Sequence, residues 1–170
     1  GWPSRPEHYE LWSASVIPLL QKCHDDGYKL VIFSNQGGIR GAFDGKASKR
    51  VKGIIDWIAK LVDRPLFAVC STKKDSGYHK GNAGMWCIME ELCNGGKQVG
   101  QSGQSFFVGD SDGTGANASD PEQKKYQQEG IDKTFAEKVG FLRGAKIQYY
   151  PPTEYFGMSN ADRRRTMATV

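Results

Sequence analysis

An α/β fold, with a parallel sheet and helices on both faces, follows from three features of this 170-residue sequence. Short apolar runs of strand length alternate with longer stretches of helical period. Polar clusters, Ser34-Asn35 and Gly109-Asp110, close two of the apolar runs, and ligands gather at the carboxyl ends of strands in such sheets. The composition, 38% hydrophobic and 25% charged, is that of a globular domain large enough to bury a core.

In chain order, Ser13 to Gly27 reads as a helix, with Pro18 in its first turn and Gly27 as its stop. Tyr28 to Phe33 is a buried strand ending in polar Ser34 and Asn35. From Ser48 to Val62, apolar residues at 51, 54, 55, 58, 61 and 62 follow helical spacing. Leu66 to Cys70 is a second strand, and Asn82 to Leu92 a helix stopped by Asn94-Gly-Gly. Phe106 to Val108 is a third strand, Phe135 to Val139 a short helix, and Lys146 to Tyr150 a last strand ended by Pro151-Pro152. The segments Gly95 to Gln104 and Gly113 to Gly130 read as loops, the second long for a compact domain. The tail from Gly157, with Arg163-Arg164-Arg165, reads as a frayed end.

No apolar run approaches the roughly 20 residues of a membrane helix, and GWPSRPEHYE reads without a signal-peptide core. A membrane protein, a secreted disulfide scaffold and a fibrous protein are not expected. The four cysteines form no C-x-x-C pair, so they read as free thiols in a reducing compartment, with Cys70 and Cys87 expected to be buried. Twenty-three basic against 19 acidic residues give a net charge of +4, which permits a polyanionic partner without demanding one.

Four groups of residues suit chemistry. Ser34-Asn35-Gln36-Gly37-Gly38 offers a hydroxyl, amides and flexible backbone to an anion, or forms an ordinary tight turn. Asp110 and Asp112, in Gly109-Asp-Ser-Asp-Gly-Thr114, can hold a hard cation such as Mg2+ through oxygen; the alternative is a turn with Asx hydrogen bonds. Lys80, after Tyr78-His79, can neutralise phosphate charge, and His79 is positioned to touch a substrate. Arg40, Lys46, Lys49, Arg50 and Lys52 are the densest basic patch, either a nucleic-acid contact or the wet face of a helix. Trp57 and Trp86 read as core. No G-x-x-x-x-G-K-[ST] is present, so no P-loop nucleotide site is expected.

Tyr28-Lys-Leu-Val-Ile-Phe-Ser-Asn-Gln36, Tyr78-His-Lys80 with Gly84-Met-Trp86, Phe106-Phe-Val-Gly-Asp110, Phe135-Ala136 and Thr153-Glu-Tyr-Phe156 stand in a recognisable order, with Trp2-Pro3-Ser4 as leader. The set resembles the phosphatase domain of the polynucleotide kinase 3′-phosphatases, in the haloacid dehalogenase superfamily. The resemblance implies a three-layer Rossmann-like parallel sheet and a domain over residues 1–156, followed by a basic tail over 157–170. It implies Mg2+-dependent removal of 3′-phosphates at DNA strand breaks, through a phosphoaspartate formed on the first Asp of a D-x-D-G-T segment.

On this resemblance Ser34 and Asn35 bind phosphoryl oxygens, Lys80 stabilises charge and Asp110 ligates Mg2+; beside these, Gln36, Arg40 and His79 are expected to contact substrate and Asp112 to be a further metal ligand. The nucleophile segment and its central strand are expected upstream of Trp2, so the 170-residue chain alone is expected to be inactive. Asp110 to Thr114 itself spells D-x-D-G-T, but the run Phe106-Phe-Val-Gly109 before it fits the metal motif instead. Departures from the family are Asp112 at a usually small position, Thr114 and His79 where Arg is frequent, and Gly81 where Pro is frequent. The expected partners are DNA 3′-phosphate ends and DNA-repair proteins, with no membrane; the expected location is the nucleus, with mitochondria as a second compartment. The alternatives are a catalytically dead DNA-end or partner-binding member of the fold, and a small-molecule phosphatase.

Overall fold

The computed structural model describes residues 9–74, 76–116, 118 and 120–168; the Trp2-Pro3-Ser4 leader lies outside them. In chain order the elements are α1 (Val16–Asp25), β1 (Leu30–Asn35), a 3-10 turn (Gly37–Ile39), α2 (Lys46–Val62) and β2 (Leu66–Ser71). Then come α3 (Gly84–Ile88) with a π turn (Met89–Cys93), β3 (Phe106–Val108), α4 (Pro121–Gln128) and α5 (Ile131–Arg143). The chain continues with β4 (Gln148–Tyr150), α6 (Pro152–Phe156) and α7 (Asn160–Ala168). It divides into two compact units, Gly1–Lys74 with Met158–Val170, and Asp75–Gly157. Each unit is a mixed α/β assembly with a small parallel sheet.

In the first unit β1 and β2 run parallel, in register from Leu30 opposite Leu66 to Asn35 opposite Ser71. The two strands therefore end together, and the polar residues at 34 and 35 share an edge with Cys70 and Ser71. Gly27, at φ 95°, turns the chain out of α1 as expected, in a conformation that glycine adopts without strain. Val16 and Cys23 of α1, Leu30 and Phe33 of β1, and Val51 and Val62 of α2 form the buried core. The lysines at 46, 49 and 52 and Arg50 are exposed along the opposite side of α2, the amphipathic arrangement its spacing predicts. Trp57 is half-buried on the same helix.

The tail, expected to fray, forms α7 over its described residues. The Ser159 hydroxyl donates to Asp162 Oδ2 at 2.6 Å and accepts from the Asp162 amide at 3.0 Å, which caps α7. Arg164 then grips the Glu10 carboxylate with two hydrogen bonds of 2.7 and 2.8 Å. Local capping and a long-range fork both lie outside what hydrophobic periodicity reads.

In the second unit β3 and β4 run parallel, Phe106 opposite Gln148 and Val108 opposite Tyr150. The segment 113–130, expected to be a loop, contains α4. Asp120 caps that helix by accepting from the Gln123 amide at 2.9 Å, and Pro121 sits in its first turn. The helix is polar almost throughout, so no periodic signal marked it. The short helix expected over 135–139 extends to α5, between Gly130 and Gly144, both at φ 65°.

Trp86 is core, as expected, and its indole donates to Glu90 Oε1 at 2.8 Å. Glu90 also accepts from the Val99 amide at 2.9 Å and is paired with the Arg143 guanidinium. Burial pushes the Glu90 carboxyl up, but its hydrogen bonds to Arg143, Val99 and Trp86 outweigh that and hold it below the usual range. All four cysteines are free. Cys87, expected to be buried, is exposed: it sits one residue after Trp86 on α3, and only one side of that short helix faces the core. Cys70 is half-buried, and burial raises its thiol pKa.

Candidate functional site

The acidic site is built at the end of β3, where the chain turns through Gly109, Asp110 and Ser111. The first turn of α5 supplies Asp132, which is 1% exposed. Lys80, in the loop before α3, brings its ammonium to 2.5 Å from Asp132 Oδ1, with 10% of its side chain exposed. A buried carboxylate is tolerable only when paired, and this one is held on both sides: the Ser111 amide donates to Asp132 Oδ2 at 3.1 Å.

Two glycines make the approach possible. A Cβ on Gly109 would stand 2.6 Å from Asp132 Oδ2 and 2.7 Å from Asp132 Cβ. A Cβ on Gly84 would stand 2.3 Å from the Gly77 carbonyl oxygen, which accepts from the Gly84 amide at 3.2 Å. The loop that carries His79 and Lys80 therefore closes on itself only because residue 84 has no side chain. The glycines of Val-Gly-Asp110 and Gly-Met-Trp86 are thus spatial requirements.

Ser111 is fully buried and ties the turn to α4 and α5. Its hydroxyl donates to the Tyr126 carbonyl at 2.9 Å and accepts from the Ile131 amide at 2.9 Å. Tyr149 of β4 donates its phenol to the Gly109 carbonyl at 2.5 Å. The half-buried Asp110 accepts from Gln127 Nε2 at 3.3 Å. Burial, and then the charge of Asp132, push the Asp110 carboxyl above its usual range, against the pull of Gln127 and Lys80.

A carboxylate so raised favours a nearby cation. Gln127 Oε1 is buried with no hydrogen-bond donor among the described residues. This oxygen-donor set fits a hard divalent cation, with Asp110 as its first ligand. Among the described residues no three acidic, His or Cys side chains group into a complete cage. Mg2+ takes few protein carboxylates and completes its shell with water and substrate phosphate, so a partial set is compatible with it.

The other expected residues fall as follows. Asp112 is engaged in its own turn, accepting from the Thr114 amide at 2.8 Å and the Thr114 hydroxyl at 2.9 Å. His79 is half-buried, and its Nδ1 lies 2.9 Å from the Lys80 carbonyl oxygen. In the first unit, Ser34, Asn35 and Gln36 are half-buried at the strand end, where Gln36 Nε2 donates to Ser34 Oγ at 2.8 Å. Arg40 is exposed and adopts a left-handed backbone, φ 50°. A cleft of about 590 Å³ lies along α5 and β4. Asp112 lines it, whereas Lys80 and Asp110 do not, so the cleft is not centred on the acidic site.

Sequence reading missed Asp132, Gln127 and Ser111. For Asp132 a signal existed. It falls at helical spacing with Phe135, Ala136, Val139 and Gly140, all buried, and a carboxylate on an apolar face needs a partner. Gln127 and Ser111 gave no comparable signal.

The fold and site define an α/β protein with a lysine-braced acidic centre at a strand end, suited to an anion and a cation together. The chain belongs to the polynucleotide kinase 3 phosphatase family, whose model matches residues 1–156. It is 29% identical to the polynucleotide 3′-phosphatase ZDP of Arabidopsis thaliana, over 87% of this chain and 20% of that protein. It is 29% identical to a bifunctional polynucleotide phosphatase/kinase of Schizosaccharomyces pombe, over 85% of this chain and 30% of that protein. The chain thus spans less than a third of the length of either relative. No solved structure matches it significantly. Among the described residues no helix is long and apolar enough to cross a membrane.

Proposed function

We propose that this chain is part of the phosphatase domain of a Mg2+-dependent polynucleotide 3′-phosphatase acting at DNA strand breaks. The observation that carries the reading is the buried Lys80–Asp132 pair beside the raised carboxyl of Asp110. The family match and the names of the two relatives support the substrate class.

In this reading the phosphoryl group meets Ser34 and Asn35 through hydroxyl, amide and backbone donors, with Gln36 orienting Ser34. Lys80 offsets the charge that builds on the transferring oxygens. Asp132 fixes the lysine's position. Asp110 is a ligand for Mg2+, and Asp112 a second acidic group near it. When bound, Mg2+ screens the repulsion between an anionic nucleophile and an anionic phosphate. The nucleophile is an aspartate of a D-x-D-G-T segment, on a strand that precedes Trp2 in the family's motif order. Its attack forms a phosphoaspartate and releases the 3′-hydroxyl, and water then frees phosphate and restores the carboxylate. On this reading the complete domain is a three-layer Rossmann-like parallel sheet with that strand at its centre. The four free cysteines support a reducing compartment; we infer action in the nucleus, with mitochondria second, alongside DNA-repair proteins.

The test is phosphate release from a 3′-phosphorylated oligonucleotide with Mg2+. The complete gene product should release phosphate, Lys80→Ala and Asp110→Asn should lose at least a hundredfold, roughly what one electrostatic group supplies, and the 170-residue chain should release none. Equal turnover by Lys80→Ala, or full turnover without a divalent ion, would sink the reading.

A further inference from the structure

The segment Ser71-Thr-Lys-Lys74 carries no expected role, yet the structure fastens it to the phosphate-suited loop after β1. Three contacts do so, all within the first unit. The Gln36 amide donates to the Ser71 carbonyl at 2.7 Å, and the Arg40 amide donates to the Thr72 carbonyl at 3.1 Å. The stem of Lys74 lies along Gly37: a Cβ there would stand 2.9 Å from Lys74 Cγ and 3.8 Å from Lys74 Cε. Gly37 has no positive φ, so its want of a side chain serves the lysine's approach and not a left-handed turn.

Arg40 makes the complementary departure. It holds a left-handed backbone without being glycine, at φ 50° and ψ 32°, a strain of order 1 kcal/mol that is common at ligand-clamping positions. Arg40 and Lys74 are both exposed. Neither has an acidic partner among the described residues. A strained arginine and a lysine laid on glycine, unneutralised, thus flank the loop that holds Ser34, Asn35 and Gln36.

We infer that Lys74, together with Arg40, grips the phosphodiester backbone of the nucleic-acid strand whose terminal phosphate Ser34 and Asn35 bind. The inference rests on the polynucleotide reading and names the residues that separate a strand from a lone nucleotide. Arginine offers a planar fork and lysine a mobile point charge, and two such groups beside a phosphate pocket suit a chain of phosphates. A mononucleotide has no second phosphate to fill them.

The test is fluorescence anisotropy of the complete gene product, held inactive with EDTA, with a labelled single-stranded oligonucleotide carrying a 3′-phosphate or a 3′-hydroxyl, over a salt series. Lys74→Gln keeps the stem over Gly37 and removes the charge. It should lower the slope of log affinity against log salt by roughly 0.7, one phosphate contact on a single strand, and Lys74→Arg should restore it. Lys60→Ala, an exposed lysine at the far end of α2, should keep the wild-type slope. An unchanged slope in Lys74→Gln, with wild-type preference for the 3′-phosphate, overturns the inference and leaves the phosphatase reading standing. No preference for the 3′-phosphate, with a lowered slope, overturns that reading and leaves the grip. Binding of neither oligonucleotide overturns both.

Discussion

The Lys80 ammonium stands 2.5 Å from the Asp132 carboxylate, and both side chains are nearly sealed from water. Fifty-two positions of sequence separate them, and Asp132, packed against Gly109 at the end of β3, is where the lysine's loop meets α5. Asp132→Asn should keep the residue's shape and remove its charge, leaving the lysine poorly anchored. In the complete gene product we expect kcat to fall by more than tenfold with KM little changed. Steady-state kinetics check this; a change in KM alone would mean Asp132 does not act through Lys80.

The glycines at 84 and 109 should resist even the smallest side chain. Gly109→Ala meets Asp132 and Gly84→Ala meets the Gly77 carbonyl. Neither neighbour is the free end of a flexible chain, so each variant should cost about 1–3 kcal/mol. Chemical denaturation of the two variants measures the loss, and a stability equal to wild type would show that the loop rearranges without penalty.

Arg143 is the cation that makes Glu90 tolerable in the interior. Arg143→Ala leaves a carboxylate that is 4% exposed, and the loss should be about 3–5 kcal/mol. The double variant Glu90→Gln, Arg143→Met should recover part of it, because the uncompensated charge is gone. Urea melts of the single and double variants test this; equal losses in both would mean packing, not charge, is what Arg143 supplies.

Asp25 links the end of α1 to Arg64 through hydrogen bonds of 2.8 and 3.2 Å. The Arg64 bonds, with a smaller share from His24, lower the Asp25 carboxyl from 3.8 to about 2. A lowered carboxyl stabilises the fold above the unfolded value and loses that effect as pH falls through the folded one. The pair is exposed, so the effect is small. Asp25→Asn should therefore melt slightly below wild type at pH 6, and the two should converge towards pH 2. Thermal melts across that range decide it, and a gap that persists at pH 2 would assign the difference to lost packing.

Much of this chain was readable before folding, wherever one stretch carried its own signal. The run 28–33 announced β1 because it is continuous and apolar, and the spacing of 51, 54, 55, 58 and 62 announced α2. Lys80 and Asp110 drew attention as polar residues bordering strands and helices. Helix α4 and the helical tail were not readable this way. Their stability comes from caps at Asp120 and Ser159 and from the distant Arg164–Glu10 fork, and none of these has a period.

The alternation of strands and helices, the family, and the strand ends that bear polar groups are all written in neighbouring residues. The pairing of Lys80 with Asp132, the reach of Gln127 to Asp110 and the seat of Lys74 on Gly37 arise with the fold. Those relationships join residues up to 52 positions apart, and they exist because buried charge must find a partner and close-packed backbone must have room.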